Sequence, residues 1–142
     1  IHYPNGIKPL GTKIEELPEE ALMLDRTPCY DLQELTTEVV TEMFIDFGHV
    51  PPISWTRRPM EGYFGQYTKW EDRDQIKINS LLNSPDVPRE TVKYVIYHEL
   101  LHRDNMTHDQ AFRHLEHQYP NWTQHERFLD FTFPQFDIKY AV

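Results

Sequence analysis

The residues with the clearest chemistry lie in the stretch "VIYHELLHRDNMTHDQAF", positions 95–112. It holds His98, His102 and His108, and Glu99 directly follows the first of them. Because an α-helix turns once in about 3.6 residues, His98 and His102 would project from one face and could share one metal ion. Glu99, rotated by about 100°, would reach a water on that metal rather than the metal itself. This spacing is typical of two zinc ligands with a glutamate general base.

A third ligand is needed, because a catalytic zinc site usually has three protein ligands and one position open for water. His108 is our preferred candidate. We expect Thr107 and Gln110 to form a capping box that starts a helix near Thr107, and this helix should stop before Pro120. One inward stripe is expected on it: His108, Phe112, Leu115 and Tyr119. The stripe would point His108 towards the other two histidines.

Glu116 is the alternative third ligand, since some zinc peptidases take a glutamate from the second helix. On an ideal helix it would lie about 80° from the His108 stripe, so it is the less favoured choice. If Glu116 does not bind the metal, we expect it or Asp109 to hold a ligand imidazole in place. Three further histidines lie off the stripe or beyond the helix and are expected at the surface: His114, His117 and His125.

Two other helical features position the histidines. Residues 31–47 carry apolar side chains at every third or fourth position, which indicates an amphipathic helix. Asp31 is expected to cap its start and Gly48 to end it. The helix that carries His98 is expected to begin after a cap at Asp86, with Pro88 tolerated in its first turn, and to reach about His102.

Strands are predicted between these helices, where β-branched and aromatic residues are frequent. The predicted strand segments are 51–58, 62–70 and 76–82, with a charged turn at 71–75. The aromatic tail, residues 128–142, is expected to add an edge strand. Together these elements predict an α+β fold, in which a small twisted sheet of three to four strands packs against the histidine-bearing helix and two further helices.

The bulk composition narrows the classes of function. A chain of 142 residues suits one domain, which we place at residues 29–142, after an irregular leader over residues 1–28. The formal net charge of −9 disfavours nucleic-acid binding, and the pair Arg57 and Arg58 is expected to be solvated. A single cysteine, Cys29, excludes an internal disulfide and fits a cytoplasmic setting. No apolar run suggests a membrane span.

The stretch "INSLLNSPDVPRETVKYVIYHELLHRDNMTHDQAFRHLEHQYPNW" resembles the SprT-like and YgjP-like zincin metallopeptidases. In these families a strand and a proline-containing turn precede the H-E-x-x-H helix, and a third histidine is followed by a phenylalanine and a Pro-x-Trp-like close. The resemblance implies a minimal zincin-like domain with zinc in a cleft and a peptide along the edge strand. The net charge and the lone cysteine differ from the SprT members that act on DNA-crosslinked proteins.

The expected function is therefore zinc-dependent hydrolysis of a peptide or protein substrate, with Glu99 as general base and His98, His102 and His108 as Zn²⁺ ligands. The alternatives are a three-histidine metal-dependent ribonuclease and a non-catalytic zinc-binding module. We expect Cys29 to be a small buried residue. The alternative is that it, or an acidic tail residue such as Asp130 or Asp137, occupies the open zinc position and keeps the enzyme latent.

Overall fold

The structure, a computed structural model, describes residues 28–134. Within that range the chain forms four α-helices and one mixed three-stranded sheet, which confirms the predicted fold class. The elements in chain order are α1 (Leu32–Met43), β1 (Ile53–Trp55), β2 (Gly65–Trp70), β3 (Arg73–Ile78), a 3₁₀ turn (Ser80–Leu82), α2 (Arg89–Leu101), α3 (Gln110–Glu116) and α4 (Trp122–Thr132). The predicted leader, apart from residue 28, lies outside the described residues.

The sheet places β3 in the centre, parallel to β1 and antiparallel to β2. Trp70 pairs with Arg73, so the predicted turn at 71–75 is in fact a hairpin loop of two residues, 71–72. Glu71 adopts a positive φ of 50°, as tight hairpin turns require. The bounds predicted for the third strand, 76–82, were therefore wrong: β3 begins at Arg73 and ends at Ile78, and Ser80–Leu82 form the 3₁₀ turn. The apolar alternation does not have to start where the strand does. Within the described residues, β2 is an edge strand.

Helix α1 begins as predicted, since the Asp31 side chain accepts hydrogen bonds from two backbone N–H groups of the first turn. Its end was predicted wrongly. The chain becomes extended at Phe44, and Gly48, with φ of +82°, lies beyond the helix. The change of direction brings the Phe44 ring within 4.8 Å of Phe47 and 5.6 Å of Tyr97, so aromatic packing outweighs the continued helical pattern.

Helix α2 is the central element of the fold, and its residues 91–101 are all buried. It starts at Arg89 after Pro88, with no side-chain cap, so the prediction of Asp86 as its cap was wrong. Proline can precede a helix without loss because the missing N–H would have no partner there. Burial extends to Lys93, whose ammonium group lies within 3.3 Å of carboxylate oxygens of Glu38, Glu42 and Glu90.

The third predicted helix starts later than expected. Helix α3 begins at Gln110 with Asp109 as its N-cap, whose side chain accepts from the Phe112 backbone N–H, so the predicted capping box was wrong. Thr107 instead donates to the Asn105 side chain. Phe112 and Tyr119 are buried as expected. Leu115 is 48% exposed, and its place in the inward stripe was also predicted wrongly.

Helix α4 was not predicted at all. Residues 128–132, interpreted from sequence as the start of a strand-forming tail, belong to this helix, and residues 135–142 lie outside the described residues. The helix packs through His125 and Leu129, both buried. His125 Nδ1 lies 3.0 Å from Thr91 Oγ1 and its ring stacks on Tyr94 at 5.6 Å, which corrects its expected surface position. His114 is exposed as expected, and His117 is half-buried.

Candidate metal centre

The three histidines proposed as ligands come together in the structure. Their candidate ligand atoms all lie within 4.8 Å of one another, and the Nε2 atoms of His102 and His108 are 3.2 Å apart. His98 lies on α2 and His102 at its C-terminal end, whereas His108 lies in the loop before α3. His108 thus arrives from a loop rather than from a helical stripe. Its ring centroid lies 5.2 Å from His98 and 4.9 Å from His102.

Hydrogen bonds at Nδ1 orient two of these rings. His98 Nδ1 donates to a carboxylate oxygen of Glu116, and His102 Nδ1 donates to the Asn105 carbonyl at 2.9 Å. A ring that donates through Nδ1 leaves Nε2 available as a ligand. His98 Nε2 is buried and has no hydrogen-bond partner within residues 28–134. An orphaned ring nitrogen facing two other imidazoles fits a bound metal ion.

Burial favours the neutral, ligand form of the other two imidazoles. It lowers the pKa of His102 to about 4, although the hydrogen bond to Asn105 acts in the opposite direction. Burial likewise lowers the pKa of His108 to about 4, with a further contribution from nearby His98. Both rings are therefore uncharged at neutral pH, as binding of a cation requires.

Glu99 directly follows His98 on α2 and has no exposed surface. Neither carboxylate oxygen has a hydrogen-bond partner among the described residues, and burial, followed by the charge of Glu116, raises the pKa of Glu99 well above its ordinary value. An unpaired buried carboxyl is costly for the fold, which makes Glu99 a candidate functional group. A metal ion with a bound water would supply the missing partners.

Gly65 provides the space for Glu99. A Cβ at this position of β2 would lie 2.8 Å from Glu99 Oε2 and 2.9 Å from Glu99 Cγ. The edge strand therefore passes so close to the carboxyl that a side chain at this position would require Glu99 to move. Sequence reasoning missed Gly65. Its place inside the predicted strand 62–70 was visible, but its contact with a helix residue 34 positions later was not.

Glu116 is a buried carboxylate, 2% exposed, that reaches across from α3. One of its oxygens accepts from His98 Nδ1 and the other accepts from Arg113 Nη1 at 2.6 Å. Burial opposes ionisation, but the hydrogen bonds from His98 and Arg113 hold the pKa of Glu116 at about 2. The structure thus places Glu116 against Nδ1 of His98, the ring nitrogen that is not proposed to bind the metal. This is the arrangement expected of a group that orients a ligand imidazole. Asp109 instead caps α3 and accepts from the Asn105 side chain.

Some predicted residues are not part of this cluster. Cys29 is exposed, so its expected burial was wrong, and its backbone N–H donates to the Asn83 side chain. Asp130 is an exposed residue of α4, and Asp137 lies outside the described residues. A cavity of about 20 Å³ adjoins His98 and is lined by Phe64, Tyr94, Val95, His98, Glu116, Glu126 and Leu129. It has room for about one water molecule.

Comparison with known proteins agrees with this geometry. Residues 31–131 match the model of the YgjP-like family, described as a YgjP-like metallopeptidase domain. No curated protein and no solved structure matches the chain. Among the described helices, none has both the length and the apolar character needed to cross a membrane. The match spans most of the chain and includes all three histidines and Glu99, and the chain therefore belongs to the YgjP-like family of metallopeptidase domains.

Proposed function

We propose that the protein is a zinc-dependent peptidase in which His98, His102 and His108 hold the metal ion and Glu99 is the general base. One observation carries the proposal: three imidazoles converge, two of them oriented by hydrogen bonds, and the residue after the first of them is a buried glutamate whose carboxyl has no hydrogen-bond partner among the described residues. A structural zinc site would be expected to offer four protein ligands, and it would have no use for an unpaired acid. Three protein ligands are also the number typical of catalytic zinc sites, and three histidines are one of the known sets.

Glu99 would handle the proton. A bound zinc ion would supply the Lewis acidity that makes a water nucleophilic near neutral pH and polarises the scissile carbonyl. Glu99 would take the proton from the attacking water as the new carbon–oxygen bond forms, and would then deliver it to the departing amine as the carbon–nitrogen bond breaks. Its buried position excludes bulk water from this transfer, and the close approach of Gly65 limits where the carboxyl can move.

The edge strand β2 is one reason to propose that the substrate is a peptide. Its first residue, Gly65, touches Glu99, and its outer side is not paired with another strand of the described residues. An extended peptide could add to that edge through main-chain hydrogen bonds, which are independent of side-chain identity. This would place a backbone carbonyl of the substrate beside the base, and we propose that peptides or proteins bind in this way.

The test combines metal content with turnover. Zinc would be measured by elemental analysis and hydrolysis on a quenched peptide library, for wild type, Glu99→Gln and His108→Ala, with exposed Glu61→Gln as the matched control. We expect one zinc per chain in the wild type and in both glutamine variants, loss of zinc in His108→Ala, and loss of cleavage in Glu99→Gln. A Glu99→Gln protein that cleaves at the wild-type rate would contradict the assignment of the base. Full zinc in His108→Ala would contradict the ligand set.

A further inference from the structure

Arg113 is a charged residue next to the proposed metal centre that the mechanism has not used. It lies one helical turn before Glu116 on α3, and its Nη1 donates to Glu116 Oε1 at 2.6 Å. The side chain of Arg113 is 27% exposed, whereas that of Glu116 is 3% exposed. The guanidinium therefore reaches inward from the protein surface to a carboxylate that water hardly contacts.

The two oxygens of Glu116 have different partners. Oε2 accepts from His98 Nδ1 on α2, and Oε1 accepts from Arg113 on its own helix. With both oxygens engaged, rotation of the carboxylate plane would break at least one of these hydrogen bonds. The orientation of the plane fixes the direction in which the His98 ring lies, and hence the direction of Nε2. Arg113 thus contacts Glu116, Glu116 contacts His98, and His98 faces the proposed metal position.

Loss of the Arg113 contact would affect Glu116 and His98 in two ways. It would leave Oε1 buried without its charged partner, and removing one member of a buried ion pair is far more costly than removing both. It would also allow the carboxylate to turn towards whatever donor remains, so that His98 would no longer be held in one orientation. Groups that orient metal-bound histidines typically change metal affinity by roughly 10- to 100-fold when they are removed.

We propose that Arg113 is a positioning residue of the metal centre, acting through the Glu116 carboxylate on the His98 imidazole. The inference rests on the proposed three-histidine site. It adds a residue that binds neither metal nor substrate but determines how well His98 can serve as a ligand. Arg113 was not among the candidates chosen from sequence, where Glu116 was considered only as a ligand or as a group that holds a ligand imidazole.

The test measures zinc affinity, which does not depend on any activity. The zinc Kd would be determined by competition with a chromophoric chelator for wild type, Arg113→Ala and Arg113→Lys, with His114→Ala, an exposed neighbour on α3, as the matched control. We expect a Kd roughly 10- to 100-fold weaker for Arg113→Ala, partial recovery for Arg113→Lys, and no change for His114→Ala. Unfolding of each metal-free variant by urea would be measured in parallel.

A double substitution separates positioning from general destabilisation. If Arg113 acts through Glu116, then Arg113→Ala should weaken zinc binding no further in a Glu116→Gln background. The visible spectrum of the cobalt-substituted protein should also shift in Arg113→Ala and not in His114→Ala, because it reports ligand geometry. Additive effects of the two substitutions, or a wild-type Kd in Arg113→Ala, would overturn the proposal. If the wild-type protein binds zinc but cleaves no peptide, and Arg113→Ala still weakens zinc binding, the result would support this inference and contradict only the proposed function.

Discussion

Gly65→Ala offers the sharpest test of how the proposed base is held. The added Cβ would lie 2.8 Å from Glu99 Oε2, 2.9 Å from Cγ and 3.1 Å from Cδ, whereas ordinary contacts begin at 3.4 Å. The carboxyl would have to move by about 0.6 Å, and the surrounding side chains leave Glu99 no exposed surface into which it could move. The backbone of Gly65 does not need glycine, because its φ lies outside the left-handed region. The effect should therefore be purely steric.

The expected magnitude follows from that displacement. Overpacking a buried site typically costs about 1–3 kcal/mol of folding free energy. A misplacement of about 1 Å in an active site can reduce the rate roughly 100-fold, so a shift of about 0.6 Å should lower kcat about 10-fold or more. Zinc content should stay at the wild-type value, because Glu99 is not a proposed ligand. This pattern, with turnover lost and metal retained, distinguishes a displaced base from a damaged metal site.

The assay would compare peptide hydrolysis, zinc content and urea unfolding for Gly65→Ala and for Gly62→Ala as the control. Gly62 has φ of +88°, and a Cβ added there would meet no atom within 4 Å, so alanine should reduce stability through backbone strain without touching the site. In a Glu99→Ala background, which removes the clashing atoms, the stability cost of Gly65→Ala should largely disappear. A Gly65→Ala protein with wild-type kcat and stability would refute the claim that this glycine confines the base.

Two further predictions concern regions outside the metal centre. The buried Asn79 side chain donates to the carbonyls of Met60 and Tyr63 and accepts from two backbone N–H groups, so Asn79→Ala should lower the free energy of unfolding by about 2–4 kcal/mol; a loss below about 1 kcal/mol in urea denaturation would contradict this. Glu38 has its pKa lowered from 4.5 to about 2, chiefly by the hydrogen bond from Arg89. Because the folded-state pKa is lowered, ionised Glu38 stabilises the fold above pH 4.5, and this stabilisation is lost as the pH falls towards 2. The stability difference between wild type and Glu38→Gln should therefore shrink over that interval. A stability difference that does not depend on pH would contradict this prediction.

The parts of the fold that depend on local patterns could be predicted from sequence. Asp31 caps its helix because an aspartate before an apolar stripe satisfies the backbone N–H groups of the first turn. The first two strands follow from β-branched and aromatic runs, and part of the third from the alternation of Ile76 and Ile78 with polar residues. His98 and His102 share a face because four residues make slightly more than one helical turn. Each of these features involves residues only a few positions apart.

Where two local signals competed, sequence could not decide between them. Thr107 with Gln110 and Asp109 with Phe112 are both reasonable helix starts, and the structure uses the second. Asn105 resolves the competition, because its side chain binds Thr107 and Asp109 and so fixes the loop that carries His108. His108 was expected near the other histidines because of a helical stripe, whereas in the structure the loop held by Asn105 brings it there.

Long-range packing explains the features that sequence missed. An aromatic run from Phe128 was interpreted as strand-forming, yet burial of Leu129 and His125 against α2 favours the helix α4. Propensity is a weak signal, and tertiary contacts of this kind often override it. The contact of Gly65 with Glu99 is of the same type, since the partners lie on different elements. A role for Glu116 or Asp109 in holding a ligand imidazole was expected as an alternative, but only the packing of α3 on α2 shows that Glu116 holds His98.

The geometry of the site follows from how α2 is enclosed. Glu99 and His98 are neighbours on one helix and face different elements, Glu99 towards β2 and His98 towards α3. The sheet thus limits where the proposed base can be, while α3 limits how the first proposed ligand can turn. Neither element could perform both tasks, because adjacent residues of a helix are separated by about 100°. In this chain the H-E-x-x-H motif is therefore supported from two sides, by Gly65 on β2 and by Glu116 on α3.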